Sequence, residues 1–297
     1  MRFDGRYAPS PSGDLHLGNL RTALLAWLFA RSRGARFLLR IDDLDPARSR
    51  PEHEERQLAD LAALGIDWDG EPVRQSEQRP RHELALATLE ASGATYPCWC
   101  TRAEIRAAAE APHGDLPEGA YPGTCRNLSA TERDEREHSG RPAALRLAAG
   151  GEQIEFEDLL HGPVSGAVDD FVLRRGDGTP AYHLATVVDD AEAGVGEVVR
   201  GEDLLESTPR QIVLQRHLGL EQPGYAHVPL VLGPDGERLA KRHGAVTLAE
   251  YPGGAGGALG WMAQSLRLPA SKPKTAGDLL EGFDPVEIPR EPTVLRR

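Results

Sequence analysis

The segment that most clearly could carry out chemistry is PSPSGDLHLGNLRTALLAWLF, which begins at Pro9. A loop rich in proline, serine and glycine runs directly into a stretch of helical character that starts near Gly18. A helix N-terminus presents unpaired backbone N–H groups and a partial positive charge, so it can hold an anion. Gly13 and Gly18 allow a nucleotide to approach the backbone, and His16 can donate to a phosphate oxygen. The pattern predicts a phosphate site, with a capping turn beside a solvent-exposed histidine as the alternative.

The three cysteines form the second group of residues that could carry out chemistry, here the binding of a metal. Cys98 and Cys100 lie too close in sequence for an easy mutual disulfide, and an odd number does not make a disulfide framework. Three thiolates and a fourth ligand could bind a metal, although the Cys-x-Cys spacing is tighter than is usual in zinc sites. A structural metal site and plain reduced thiols both remain open.

Composition places these residues in an ordinary folded chain. The 297 residues are 40% hydrophobic and 27% charged, which excludes disordered and fibrous classes. The longest apolar run, residues 23–30, is far shorter than a membrane span, and the N-terminus has no apolar core of a secretory signal, so we expect a cytoplasmic protein. The net charge of −12 argues against a broad basic surface, so a nucleic-acid partner would be bound by local patches.

The elements that must position these residues follow from the pattern of apolar stretches and turns. A strand, a helix and a second strand are expected at residues 2–8, 18–32 and 36–41, and this order predicts a βαβ unit with a parallel sheet. Residues 95–166 contain all the cysteines and a proline- and glycine-rich stretch, which indicates an insertion. Further helices are expected at residues 52–64, 81–91, 209–217 and 261–266.

Two signatures resemble those of the class I aminoacyl-tRNA synthetases. HLGN, at residues 16–19, resembles the HIGH signature, and GERLAKRHGA, from Gly236, resembles the KMSKS-type loop. Within class I, the glutamyl and glutaminyl group is indicated by RYAPSPSG, LLRIDDLDPAR, DFVLRRGDGTPAYHLATVVDD and VVRGEDLLESTPRQ. Since six matching segments occur in the expected order, the chain is identified as a member of this group.

The resemblance implies an α/β fold, with a Rossmann-like parallel sheet, an inserted acceptor-binding-like subdomain and a short helical C-terminal appendage. Residues 1–94 would form the first half of the catalytic domain, and residues 95–166 the inserted subdomain. Residues 167–250 would complete the catalytic domain with the KMSKS-like loop. Residues 251–297 would be an appendage without an anticodon-binding domain.

The resemblance also assigns residues to glutamate. Arg6 and Arg200 match the arginines that hold glutamate, and a guanidinium can donate two parallel hydrogen bonds to a carboxylate. Tyr182 would add a hydroxyl, and Asp42 would bind the α-amino group, where relatives commonly carry the longer glutamate. The implied glutamate-binding residues are Arg6, Tyr7, Ala8, Pro9, Ser10, Asp42, Tyr182 and Arg200.

The implied ATP-binding residues are His16, Gly18, Asn19 and Lys241, of which His16 and Lys241 would be catalytic. Activation needs no general base because the carboxylate nucleophile is already ionised, so catalysis is positioning and charge stabilisation. Lys241 would neutralise developing charge on the phosphates, and Mg²⁺ would accompany ATP. Arg238 and Ala240 depart from the familiar KLSKR pattern, which we expect to alter loop closure and to leave activity in place.

The tRNA-modifying members of the group are the most similar in the cysteine region. They imply one structural Zn²⁺ held by Cys98, Cys100, Tyr121 and Cys125, with Tyr121 four residues before Cys125. His113 and His138 are the alternative fourth ligands, since imidazole is the commoner one.

Only about fifty residues follow the KMSKS-like loop, fewer than an independent anticodon-binding domain needs. We therefore expect the catalytic half alone, as in the tRNA-modifying members, which activate glutamate without tRNA and transfer it to queuosine at the wobble position of tRNA(Asp). The expected partners are ATP, L-glutamate and the anticodon stem-loop of tRNA(Asp), and we expect a monomer. The alternatives are a truncated enzyme that charges the 3′ end of tRNA(Glu) and a non-catalytic nucleotide-binding paralogue.

Overall fold

The computed structural model describes residues 3–109, 120–239, 246–269 and 272–295. Its helices are α1 Leu17–Ser32, α2 Pro51–Ala63, α3 Arg79–Ala91, α4 Arg102–Ala109, α5 Ala130–Glu137, α6 Tyr182–Ala193, α7 Thr208–Leu218 and α8 Gly254–Ser265. Its strands are β1 Gly5–Tyr7, β2 Phe37–Ile41, β3 Val73–Arg74, β4 Thr95–Cys98, β5 Ala144–Leu147, β6 Glu152–Asp158, β7 Gly162–Val168, β8 Val172–Arg174, β9 Glu197–Gly201, β10 Gly224–Val228, β11 Val231–Leu232 and β12 Thr293–Val294.

The first βαβ unit consists of β1, α1 and β2, as the sequence predicts. β1 and β2 pair in parallel, with Gly5 opposite Phe37, and β3 extends the sheet beside β2. α1 is apolar on nearly every side, so it is buried against the sheet, with Leu24 and Phe29 inaccessible to solvent. None of the helices in the described ranges combines the length and the hydropathy that a membrane-spanning segment needs.

The second parallel group contains β9, β10 and β6. β10 lies between β9 and β6 and pairs in parallel with both, while β7 adds an antiparallel edge to β6. The backbone N–H groups of Gly196 and Glu197 donate to the Asp4 carbonyl at 2.9 and 3.2 Å, which joins β9 to the start of β1. The result is a predominantly parallel α/β arrangement, and the predicted fold class is confirmed.

β4, β5 and β8 form a small antiparallel sheet in that order, and we call this sheet and the three cysteines beside it the cysteine region. Its own cluster of buried side chains consists of Tyr96, Cys98, Trp99, Tyr121 and Cys125. The inserted subdomain was expected to end at residue 166. β8 follows that residue but pairs with β5 of the insertion, whereas β6 and most of β7 precede it and belong to the sheet of β9 and β10. Strand pairing therefore crosses this expected boundary in both directions.

The C-terminal segment packs into the same core as α1. α8 begins at Gly254, not near residue 261 as the sequence predicts, so the glycine-rich stretch is helical. Glycine disfavours helix by about 1 kcal/mol per residue, but Ala258, Leu259 and Met262 are fully buried, and tertiary packing outweighs that cost. Phe283 also joins this core and packs against Phe29 of α1.

Candidate active site

A cavity of about 630 Å³ opens where β1, β2 and β9 end. In sheets of parallel strands, ligands bind in the crevice at the carboxyl ends of the strands. All the residues predicted to bind glutamate line this cavity: Arg6, Tyr7, Ala8, Pro9, Ser10, Asp42, Tyr182 and Arg200. His16, Gly18 and Asn19 line it as well, whereas Lys241 lies outside the described residues. The cavity therefore brings together every described residue that the sequence assigned to glutamate and ATP.

His16 is the N-terminal cap of α1. Its Nδ1 accepts from the backbone N–H of Asn19 at 3.3 Å, and the Asn19 side chain accepts from the backbone N–H of His16 at the same distance. Burial, with a contribution from Arg238, lowers the pKa of His16 to about 4, so the ring is neutral at pH 7. Because Nδ1 is an acceptor, the proton resides on Nε2, which is thus a donor for an anion beside the helix N-terminus.

Gly18 gives the His16 ring its space. A Cβ atom at position 18 would lie 3.0 Å from both Cε1 and Nδ1 of that ring, closer than ordinary packing allows. A side chain at position 18 would therefore require the His16 ring to shift by a few tenths of an ångström.

The described segments on either side of residues 240–245 lie beside the cavity. Leu239 lines it, and Val246 accepts a hydrogen bond from the backbone N–H of Leu17 at 3.1 Å. Arg238, which occupies the position of the first loop lysine, forms an ion pair with Asp203 at 2.5 Å. Both described ends of the KMSKS-like loop are thus anchored near the His16 end of α1.

Arg200 is a buried cation held by neutral groups. Its side chain is in β9, and the residue is only 5% exposed. Nε donates to His227 Nε2 at 3.0 Å, Nη1 to Gln211 Oε1 at 2.8 Å and Nη2 to Thr208 Oγ1 at 2.7 Å. Within the described part of the chain, no carboxylate forms an ion pair with Arg200. A buried charge without a counterion is costly, so this site is suited to an anionic ligand.

Arg6, in contrast, already has a carboxylate partner. Its Nε and Nη2 donate to Asp190 at 3.1 and 3.2 Å, and Arg40 Nη1 donates to the same carboxylate at 2.5 Å. Burial alone would raise the pKa of Asp190, but Arg6 and Arg40 hold it below the usual value. Arg6 therefore contributes to the cavity as part of a buried ion-pair network.

Asp42 is connected to this network through Arg40. Arg40 Nε donates to Asp42 Oδ1 at 2.7 Å, which engages one of the two carboxylate oxygens. Burial raises the pKa of Asp42, and the neighbouring Arg40 partly offsets that effect. The cavity thus has a carboxylate at the end of β2 and a guanidinium without a carboxylate partner near the end of β9, while Tyr182, 43% exposed, also lines it.

Sequence reasoning missed Arg40 and Asp190. Both had a readable signal, because Arg40 is a charge between Leu39 and Ile41 in a buried strand, and Asp190 ends the largely apolar run LATVVDD. Charged residues within such stretches are rarely buried unless they are paired.

The three cysteines converge in the small antiparallel region. Their sulfur atoms all lie within 4.8 Å of one another, and those of Cys100 and Cys125 are 3.5 Å apart. The Tyr121 hydroxyl lies 3.3 Å from Cys98 Sγ and 3.6 Å from Cys100 Sγ. His138, the residue that follows α5, is exposed and bonds to the Asp134 carbonyl, whereas His113 lies outside the described residues. Three sulfurs and one phenol oxygen thus lie close together.

Asp169 and Asp170 connect this cluster to the rest of the molecule. Asp169 accepts from the Tyr121 backbone N–H at 3.0 Å and from Arg210 Nε of α7 at 2.7 Å. Asp170 accepts from the Tyr96 hydroxyl at 2.5 Å and from Arg126 Nε at 2.7 Å. One dipeptide therefore binds both the cysteine region and α7.

Comparison with known proteins shows the family to which the chain belongs. The family described as tRNA synthetases class I (E and Q), catalytic domain, matches residues 3–256. A glutamyl-Q tRNA(Asp) synthetase of Nocardia farcinica is 61% identical over 294 residues, covering 98% of this chain and 92% of that protein. The protein of the same name from Symbiobacterium thermophilum is 52% identical, with coverage of 97% and 94%.

Among solved structures, a glutamate tRNA ligase from Elizabethkingia meningosepticum in complex with its amino acid superimposes with a TM-score of 0.82 at 28% identity. The match covers 99% of this chain and 67% of the ligase. The parallel sheet, the cavity at its strand ends and these matches lead to one assignment. The chain belongs to the class I tRNA synthetases of the glutamyl and glutaminyl group, and it is a ligase of that family.

Proposed function

We propose that this protein activates L-glutamate with ATP in the absence of tRNA and transfers the glutamyl group to queuosine at the wobble position of tRNA(Asp). The observation that carries the activation step is the buried Arg200, whose charge has no carboxylate partner among the described residues and which lines the cavity. The choice of acceptor is supported by relatives at 61% and 52% identity that are named for it and are covered over more than nine tenths of their length.

The cavity supplies complementary groups for glutamate. Arg200 would bind the side-chain carboxylate through its remaining N–H groups, with the Tyr182 hydroxyl beside it. Asp42 would bind the α-amino group through the oxygen that Arg40 does not engage. These contacts would leave the α-carboxylate free to attack the α-phosphorus of ATP.

ATP would lie against the N-terminus of α1. The neutral His16 ring would donate from Nε2 to a phosphate oxygen, and Gly18 and Asn19 would form the adjoining wall. Attack of the carboxylate oxygen on the α-phosphorus expels pyrophosphate and gives glutamyl-adenylate. Lys241 would neutralise charge on the phosphates, and Mg²⁺ would enter with ATP as its phosphate counterion.

The acceptor is tested by transfer of radiolabelled glutamate. We expect labelling of tRNA(Asp) that carries queuosine, and none of tRNA(Asp) that carries guanine or of tRNA(Glu), at the same salt concentration. Removal of the 3′-terminal adenosine from tRNA(Asp) is the control, and it should leave labelling unchanged. Efficient charging of tRNA(Glu), or labelling that requires the terminal adenosine, would refute the proposal in favour of a 3′-charging enzyme.

We also propose that Cys98, Cys100, Tyr121 and Cys125 bind one structural Zn²⁺. The donor set fits the ion, because zinc bonded to sulfur at about 2.3 Å in a tetrahedral site separates its sulfurs by about 3.8 Å. The observed separation of 3.5 Å between Cys100 and Cys125 Sγ requires little rearrangement. The bound ion would hold β4 to the segment of Tyr121 and Cys125.

Metal analysis of the purified protein should find about one zinc per chain. Replacing Cys125 by alanine should release it, since a closed site loses affinity steeply with one ligand. Tyr121→Phe should weaken zinc retention against a chelator, whereas His138→Ala should not, because His138 is exposed and bonds to the Asp134 carbonyl. Full occupancy in Cys125→Ala, or zinc loss in His138→Ala, would contradict the assigned ligands.

A further inference from the structure

Behind Arg200 lies a buried pair that the assigned site does not include. His227, in β10, is 0% exposed, and Asp158, at the end of β6, is 1% exposed. His227 Nδ1 lies 2.6 Å from Asp158 Oδ2, and His227 Nε2 lies 3.0 Å from Arg200 Nε. The three residues come from the adjacent strands β6, β10 and β9, so the row runs across the sheet.

The proton positions in this row follow from the chemistry of its ends. Asp158 also accepts the backbone N–H groups of Leu160 and His161, both through Oδ1, at 3.0 and 3.1 Å. Burial opposes ionisation of Asp158, but these bonds and His227 hold its pKa below the usual value, so it is an acceptor only. His227 Nδ1 must therefore donate to Asp158, which leaves a lone pair on Nε2. Arginine can only donate, and its Nε–H meets that lone pair.

We propose that Asp158 and His227 are a positioning pair for Arg200 that fixes its guanidinium to receive the glutamate carboxylate. This inference rests on the proposed role of Arg200 in binding glutamate. His227, Gln211 and Thr208 each take one N–H of the guanidinium. A guanidinium has five N–H groups, so two remain, one on each terminal nitrogen. Arg200 lines the cavity, where these two groups can meet a ligand. These two donors are available to the two oxygens of a carboxylate.

The imidazole tautomer is the critical element of this arrangement. If the proton were on Nε2, two N–H groups would face each other across 3.0 Å and Arg200 would be displaced. Asp158 excludes that tautomer, because its carboxylate can only accept and so requires the ring proton on His227 Nδ1. A carboxylate two strands away from Arg200 thus determines how Arg200 is presented.

Two substitutions at His227 separate the contact of Nδ1 with Asp158 from the contacts of Nε2, which lies 3.0 Å from Arg200 Nε and 3.1 Å from Thr208 Oγ1. The side-chain amide of asparagine occupies the place of Nδ1, so His227→Asn keeps a donor to Asp158 and loses the acceptor for Arg200. The longer glutamine places an amide oxygen near the position of Nε2, so His227→Gln keeps the acceptor for Arg200. In glutamate-dependent pyrophosphate exchange, we expect His227→Asn to raise the KM for glutamate about 10-fold or more and His227→Gln by less than about 3-fold. The KM for ATP, measured in the same assay, should change by less than about 2-fold in both variants.

The outcomes separate this inference from the proposed function. Equal rises of the glutamate KM in the two variants, or parallel rises for glutamate and ATP, would indicate a merely structural role and overturn the inference. Absence of exchange by the wild-type protein would refute the proposed function instead. Nitrogen-15 NMR of the histidine rings then tests the pair without any assay, with the His227 signals identified by their loss in His227→Gln. We expect Nδ1 protonated and Nε2 bare, and the opposite tautomer would overturn the inference.

Discussion

Replacing Arg200 by methionine is expected to lower kcat/KM for glutamate in pyrophosphate exchange by about 10²- to 10³-fold. Truncating one partner of a buried, hydrogen-bonded charge pair costs about 2–5 kcal/mol, and each 1.4 kcal/mol corresponds to a factor of ten. Methionine retains much of the volume of arginine but neither its charge nor its N–H groups. The measurement is exchange without tRNA at saturating ATP, with glutamate varied.

Arg200→Lys is the matched control for charge. It keeps the cation but cannot donate to His227, Gln211 and Thr208 as a planar group does, so its loss should be intermediate. Thermal unfolding of both variants shows whether the fold is retained. A KM for glutamate that is unchanged in Arg200→Met would exclude Arg200 as the ligand of the substrate carboxylate.

Replacing Asp190 by asparagine is expected to reduce the free energy of unfolding by about 3–5 kcal/mol. The substitution preserves shape but removes the negative charge that lies between Arg6 and Arg40, so the buried Arg6 loses its carboxylate partner and Arg40 keeps Asp42 as its close one. Denaturant unfolding at pH 7 provides the measurement. A loss below about 1 kcal/mol would show that the network contributes little to stability.

The matched control is Glu192→Gln, two residues further along α6. Glu192 forms an ion pair with Arg81 at 2.8 Å, but both side chains are about half exposed, so its loss should stay below about 1 kcal/mol. The pH dependence has a definite sign, because the folded-state pKa of Asp190 is lowered. The stability that Asp190 contributes is present above the ordinary aspartate pKa of about 3.9 and is lost as the pH falls through the lower folded-state pKa. The difference between wild type and Asp190→Asn should therefore shrink in acid.

The first βαβ unit could be predicted from local patterns, and the outline of the site from motifs that resemble those of the class I synthetases. Apolar stretches and turn residues define the first βαβ unit, and residues that follow parallel strands converge at one edge of a sheet. Arg6, Asp42 and Arg200 were assigned from their match to the motifs of the synthetase group, and they line one cavity at such an edge. The glycine-rich start of α8 was predicted wrongly, since its helix depends on contacts with a core that local propensity does not report.

The pairing of charges could not be predicted in the same way. Arg6 and Asp190 are 184 positions apart, and Arg200 and His227 are joined only because β9 and β10 are neighbours. The sequence thus shows which charged residues are present, whereas the fold determines which of them form ion pairs. The difference between the paired Arg6 and the unpaired Arg200 is visible only in three dimensions.

The adjacent carboxylates Asp169 and Asp170 have a consequence for how the protein opens. Asp170 binds Tyr96 and Arg126 in the cysteine region, while Asp169 binds Arg210 of α7, the helix whose Thr208 and Gln211 hold Arg200. Asp169 and Asp170 are consecutive residues, so a movement of the backbone that breaks the hydrogen bonds of one carboxylate also disturbs those of the other. Local unfolding proceeds in cooperative units. We therefore expect the cysteine region and the N-terminal turn of α7 to belong to a single such unit, with amide protons that exchange with solvent through a common opening event.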